Sequence, residues 1–157
     1  MNTTAAALTR SVRDHLPGEH APHVLLELDL SRGLLEAPPT TPLEAARTRH
    51  VPVLRHLVEG LSQAARDSRV VGLVAHLGAV QPSLAMAGEL RTALQRLRRS
   101  GKRTVCWSES YGEMGPGNVS YYLASGFDEI WLQPSGDVGL TGVMAHGMFV
   151  REALDRA

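Results

Sequence analysis

Eight consecutive residues, Val70-Val71-Gly72-Leu73-Val74-Ala75-His76-Leu77, are nearly all apolar and rich in β-branched side chains. The run is far short of the ~20 residues that a membrane helix needs. It follows a segment in which Val53, Leu54, Leu57, Val58, Leu61, Ala64 and Ala65 recur at helical spacing. Pro52 suits the first turn of that helix, where no N–H is missed. A helix feeding a continuously apolar strand is the pattern of a parallel sheet with both faces covered by helices. The run therefore predicts a layered α/β fold.

The rest of the chain fits that frame. Residues 24–30, Val-Leu-Leu-Glu-Leu-Asp-Leu, are β-prone and closed by Ser31-Arg32-Gly33, which predicts the first core strand. The stretch from Ala37 to Pro42 holds three prolines and reads as a loop. Ser83 is placed to cap a second long helix whose buried stripe is Met86, Leu90, Ala93, Leu94 and Leu97. Arg96, Arg98 and Arg99 favour the carboxyl end of that helix, and Gly101 follows as its C′ residue. A strand over 103–108, a glycine-rich loop, a short helix over 120–125 and a strand over 129–133 complete a β-α-β-α-β-α-β order. Residues 1–22 form an expected flexible leader ending in a Pro/Gly-rich stretch, and residues 23–157 one domain. The tail from Met148 to Ala157 is helical in character, with Phe149, Ala153 and Leu154 on one side and no capping residue after it. The domain is accordingly expected to be incomplete at its C-terminus, and poorly soluble or obligately oligomeric if Ala157 is its natural end.

Charge narrows the function classes. Sixteen basic and sixteen acidic side chains give zero net charge, so bulk electrostatics draw the chain to neither nucleic acid nor anionic lipid. Lys102 is the sole lysine, leaving one candidate for chemistry that needs a deprotonatable amine. It lies in the turn before the third strand, at the sheet's amino end. Cys106, the sole cysteine, sits in an apolar run and reads as a buried thiol. The N-terminus lacks the apolar core of a secretory signal, and a cytoplasmic protein is the simplest expectation.

Ligands of open α/β sheets bind at the carboxyl ends of strands, which directs attention to the loop Glu109–Asn118. Its three glycines, Gly112, Gly115 and Gly117, serve either a plain turn or a close backbone approach to a peptide. Asn118 is no nucleophile. Ser120 has a hydroxyl but no base nominated by the sequence, and a first-turn serine is more often a cap. No Cys/His cluster has metal-ligand spacing, and no cofactor is expected. His76 and His146 are the histidines to check for buried hydrogen bonds, neither with a visible partner. Asp67 reads as a turn residue, Asp128-Glu129 as exposed carboxylates, and no acid/base pair stands out.

A longer pattern runs through these pieces: Ala64-Ala65-Arg66-Asp67-Ser68-Arg69-Val70-Val71-Gly72-Leu73, Glu89-Leu90-Arg91, Ser100-Gly101-Lys102, Ser120-Tyr121-Tyr122-Leu123-Ala124-Ser125, Asp128-Glu129-Ile130, and Pro134-Ser135-Gly136 to Gly139-Leu140-Thr141-Gly142-Val143. In this order and spacing, from about Val24 to Ala157, it resembles the signal peptide peptidase, or protease IV, family. The resemblance implies a ClpP/crotonase-like α/β fold of repeated β-α-β units and membrane-linked cleavage of residual signal peptides by a serine nucleophile with a lysine base. Long members of that family carry two repeats, the front one supplying the lysine and the back one the serine.

The family's serine motif, laid on this chain, falls on Asn118-Val119-Ser120 before Tyr121-Tyr122, so the nucleophile position holds Asn118. The family's lysine segment would lie beyond Ala157, and Lys102 does not match it. The resemblance thus implies a front repeat with neither dyad residue, inactive alone, in which Gly117, Asn118, Ser120 and Tyr121 line a substrate groove. Its implied partners are a peptide substrate, a second repeat or the rest of the peptidase, and further copies in a homo-oligomer. With no transmembrane segment, membrane association would be peripheral. Two other readings share the fold: a non-catalytic assembly module, and a crotonase-type acyl-CoA enzyme, against which Gly78-Ala79-Val80-Gln81 lacks the expected glycine-rich oxyanion pattern.

Overall fold

The computed structural model describes residues 23–78, 82–113 and 115–142. The elements run β1 (Val24–Asp29), α1 (Pro42–Thr48), α2 (Leu54–Arg66), β2 (Val70–His76), α3 (Leu84–Arg99), β3 (Arg103–Ser108), α4 (Asn118–Ala124) and β4 (Glu129–Leu132). The four strands form one parallel sheet in the order β1-β2-β3-β4. The expected leader and tail helix lie outside the described residues.

Both long helices form for the reasons their sequences suggest. In α3 the Ser83 hydroxyl accepts from the Met86 amide, the stripe Met86–Leu97 is buried, and Gly101 takes a positive φ of 82° just past the C-cap Ser100. In α2 the buried side chains are Leu54, Leu57, Leu61 and Ala64. That helix begins at Leu54, later than Pro52 suggests, because residues 52–54 are drawn into extended pairing with Leu35. The Leu35 amide donates to the Pro52 carbonyl at 2.9 Å, and the Leu54 amide to the Leu35 carbonyl at 2.8 Å. Helix α1 was not foreseen. It buries nothing, so it has no apolar stripe to betray it, and it rests on local signals. Thr41 caps it, Pro42 opens it, and the Glu44 carboxylate accepts from the Thr40 amide.

The sheet corrects one expectation. Leu26 and Leu28 of β1, Leu73 and Ala75 of β2, and Cys106 of β3 join the core made with α2, α3 and α4. Alternate residues point to the other face, where the paired rows are Glu27–Val74–Val105–Glu129 and Asp29–His76–Trp107–Trp131. There Trp107 is 38% and Trp131 62% exposed. Among the described residues the helices thus cover a single face, and β2 is apolar for a different reason. Its outward Val74 and His76 stay half-buried between the neighbouring strands, while Gly72 lets the Leu25 side chain lie across it.

Asp128 is exposed, as expected, but both of its carboxylate oxygens are engaged. Its Oδ2 accepts from the Thr104 amide at 2.9 Å and the Thr104 hydroxyl at 2.8 Å, while Oδ1 accepts from Arg98 Nε at 2.6 Å. Burial alone would raise its pKa, but these bonds from Thr104 and Arg98 outweigh it and hold the carboxyl below its usual value. One side chain therefore ties the end of α3 to the starts of β3 and β4. Asp128→Ala should lower the unfolding free energy by about 1–3 kcal/mol, by stranding the buried Thr104 donors. Urea unfolding at neutral pH measures this, and the loss should shrink as pH falls through the lowered Asp128 pKa, where the wild-type carboxylate also protonates.

Candidate functional site

The loop 109–118 leaves the carboxyl end of β3 and is locked to residues 136–142, which follow β4. The Tyr111 amide donates to Asp137 O at 2.8 Å, the Gly139 amide to Tyr111 O at 2.7 Å, and the Gly117 amide to Gly139 O at 2.8 Å. Ser110 Oγ adds a bond to Asp137 O at 3.0 Å. Packing this close requires glycine. A Cβ on Gly117 would stand 2.0 Å from Tyr111 O, and one on Gly136 1.9 Å from Glu109 O. Gly112 has a φ of 105°, which side-chain-bearing residues avoid.

Beneath the loop, Tyr111 is buried and meets the Tyr121 ring edge-on at 5.6 Å, with its hydroxyl 3.9 Å from Cys106 Sγ. Burial pushes the Cys106 thiol up to about 11 and raises the Tyr111 phenol as well, so both stay protonated at neutral pH. Cys106 is an inert core thiol, as its sequence context suggests.

Gly117, Asn118, Ser120 and Tyr121 occupy four distinct environments. Gly117 is the buried N-cap position of α4 and supplies no side-chain cap. Asn118, half-buried, opens the helix and donates from Nδ2 to the Gly142 carbonyl, so its amide is anchored to the segment that follows β4. Tyr121 packs on Tyr111. Ser120 lies two residues and about 200° around the helix from Asn118. It is 5% exposed and faces a small apolar cavity with Leu30, Leu34, Leu77 and Leu123. Because α4 starts at Asn118 rather than Ser120, Ser120 is a third-position inward residue and not a cap.

Lys102 stands at the amino end of the sheet, as its place in the sequence suggests, with Nζ donating to Asp67 O at 2.8 Å. The Asp67 carboxylate, held at about 2 by the Arg69 guanidinium and amide, belongs to that same end.

A cluster that the sequence reading missed sits at the carboxyl end of the open face. His76 Nε2 lies 2.9 and 3.0 Å from the two oxygens of Glu109, and Nδ1 lies 3.6 Å from Asp29 Oδ1. Its ring stacks on Trp107 at 3.8 Å. The histidine therefore has partners. The pairing needed the β1–β2 register, which sets Asp29 beside His76, and that register is not written in either segment alone.

The described residues form a layered α/β domain with helices on one face of a four-stranded parallel sheet. Residues 96–157 match peptidase family S49. Over 104 residues, 64% of this chain, it is 36% identical to Protease 4 of Salmonella typhi and 31% identical to Protease 4 of Haemophilus influenzae. Over these residues the chain is similar to peptidase family S49 and to the two Protease 4 sequences. The matched stretch spans 16% of the length of either relative.

Gly117→Ala should part the two bonded segments, because the new methyl cannot coexist with Tyr111 O. A destabilisation of about 1–3 kcal/mol is expected from such overpacking. In thermal melts paired with amide NMR, shifts should concentrate in residues 109–118 and 136–142 and leave α2 unmoved.

Proposed function

We propose that this chain is the front part of a serine peptidase of the signal peptide peptidase type, forming groove walls for a peptide while the catalytic dyad lies elsewhere in the assembled enzyme. The observation that carries this is Asn118. It occupies the first position of α4 at the groove, where the family resemblance puts the nucleophile, and an amide cannot attack a carbonyl carbon. Its Nδ2 bond to Gly142 O suits a structural wall. Ser120 points away into an apolar cavity, on the wrong side of the helix to stand in for it.

On this reading residues 1–22 are a leader and residues 23–157 the peptidase-like domain. Gly117, Asn118, Ser120 and Tyr121 shape the groove, with Ser120 acting only from beneath. The partners are a peptide, such as a residual signal peptide, a second repeat that completes the site, and further copies of the enzyme. No helix among the described residues is long and apolar enough to cross a membrane. A non-catalytic assembly module describes the same chain viewed without its second repeat.

A panel of fluorogenic peptides tests the proposal. The 157-residue chain should hydrolyse none of them, and Asn118→Ser should not restore activity, because a serine without a base in reach gains little. A form extended into the downstream coding sequence should be active. Turnover by residues 1–157 alone would overturn the reading.

A further inference from the structure

We propose that His76 is a positioning residue, a proton-dependent tether that holds the entrance of the 109–118 loop to the sheet through Glu109. The loop is the one that the peptidase reading makes a groove wall, but the tether stands on its own geometry. His76 is the last residue of β2, Asp29 the last of β1, and Glu109 the first after β3. Three neighbouring strands thus bring one imidazole between two carboxylates, with the Trp107 indole stacked on the ring.

The ring's two nitrogens dictate the proton dependence. A neutral imidazole has one N–H. With that proton on Nε2 it donates to Glu109 and turns a lone pair toward Asp29. With the proton on Nδ1, the lone pair faces Glu109 and the tether is lost. The imidazolium alone offers a donor to each side, and its charge lies against the face of Trp107. Protonation therefore converts a one-sided contact into a two-sided one.

The surrounding charges are those of Glu27 and Asp29 from β1, Arg32 in the turn beyond, Glu109 after β3, and the Arg103–Glu129 pair further down the same face. The bond from His76 is the largest influence holding the Glu109 carboxyl below its usual 4.5. The carboxylate side of the tether is thus present above that value and is lost as pH falls through the lowered pKa of Glu109. Removing the second ring proton from the imidazole weakens the tether.

The consequence reaches the groove through the backbone. Glu109 is followed by Ser110 and Tyr111, whose side-chain and amide groups bond Asp137, and Glu109 O lies against Gly136. Loosening Glu109 loosens the bonds that join 109–118 to 136–142.

The test is amide hydrogen exchange of Tyr111, Gly117 and Gly139 by NMR, corrected for intrinsic exchange, on the 157-residue chain from about pH 5 to 8. Because the partners are half-exposed, protection at these amides should fall only about two- to fivefold as pH rises, with α3 amides unchanged. His76→Gln, which keeps one donor and cannot titrate, should give protection without a pH slope. Glu109→Gln, at an exposed position where folding is not in question, should also abolish the slope. A flat wild-type profile, or the wild-type slope surviving in either variant, overturns the proposal. No peptide enters the measurement, so its failure is separable from failure of the peptidase reading.

Discussion

The strand order β1-β2-β3-β4, all parallel, is the constraint from which the rest of the structure descends. Each step to the next strand needs a crossover, and parallel crossovers are right-handed in nearly every protein. When every step also moves in the same direction across the sheet, the crossover helices must land on the same face. The helices α2, α3 and α4 do so, packing Leu61, Leu90, Leu94 and Leu123 onto Leu28, Leu73 and Cys106. A sheet that reversed its order would place helices on both faces and open a crevice where the order turns. This one has no reversal among its described strands. Two connecting segments at the carboxyl edge are instead bonded to each other.

Those segments hold each other through main-chain bonds, and the glycines permit it. At Gly117 and Gly136 the neighbouring carbonyl stands where a side chain would begin. The bonds that result, among Tyr111, Asp137, Gly139 and Gly117, make this edge of the domain an ordered strip of backbone, with Tyr111 and Tyr121 packed beneath it.

Features that announce themselves locally were legible in the sequence. The Ser83 cap, the Met86–Leu97 stripe, Gly101 and the span of β3 each follow from a few adjacent residues. Helix α1 was not legible by periodicity because it buries nothing, although Thr41-Pro42 and Glu44 spelled its cap. The start of α2 moved because Leu35, nineteen residues earlier, captures the backbone of Pro52 and Leu54. For the site, the glycine-rich loop could be located, and Asn118 could be placed by resemblance. Neither the inward turn of Ser120 nor the meeting of His76 with Glu109 and Asp29 could be read. Both depend on where α4 begins and on strand register, which tertiary packing decides.

A serine/lysine dyad needs its two side chains within about 3 Å of one another. The chain has one lysine, Lys102, and its ammonium is bound to Asp67 O at the amino end of the sheet. Five residue steps of β3 separate that end from Ser108, roughly 16 Å at strand spacing, and the groove lies further on. No rotamer of a four-carbon side chain spans that distance while the sheet is intact. Lys102 therefore cannot act as base for a serine placed at position 118, at the opposite end of the sheet.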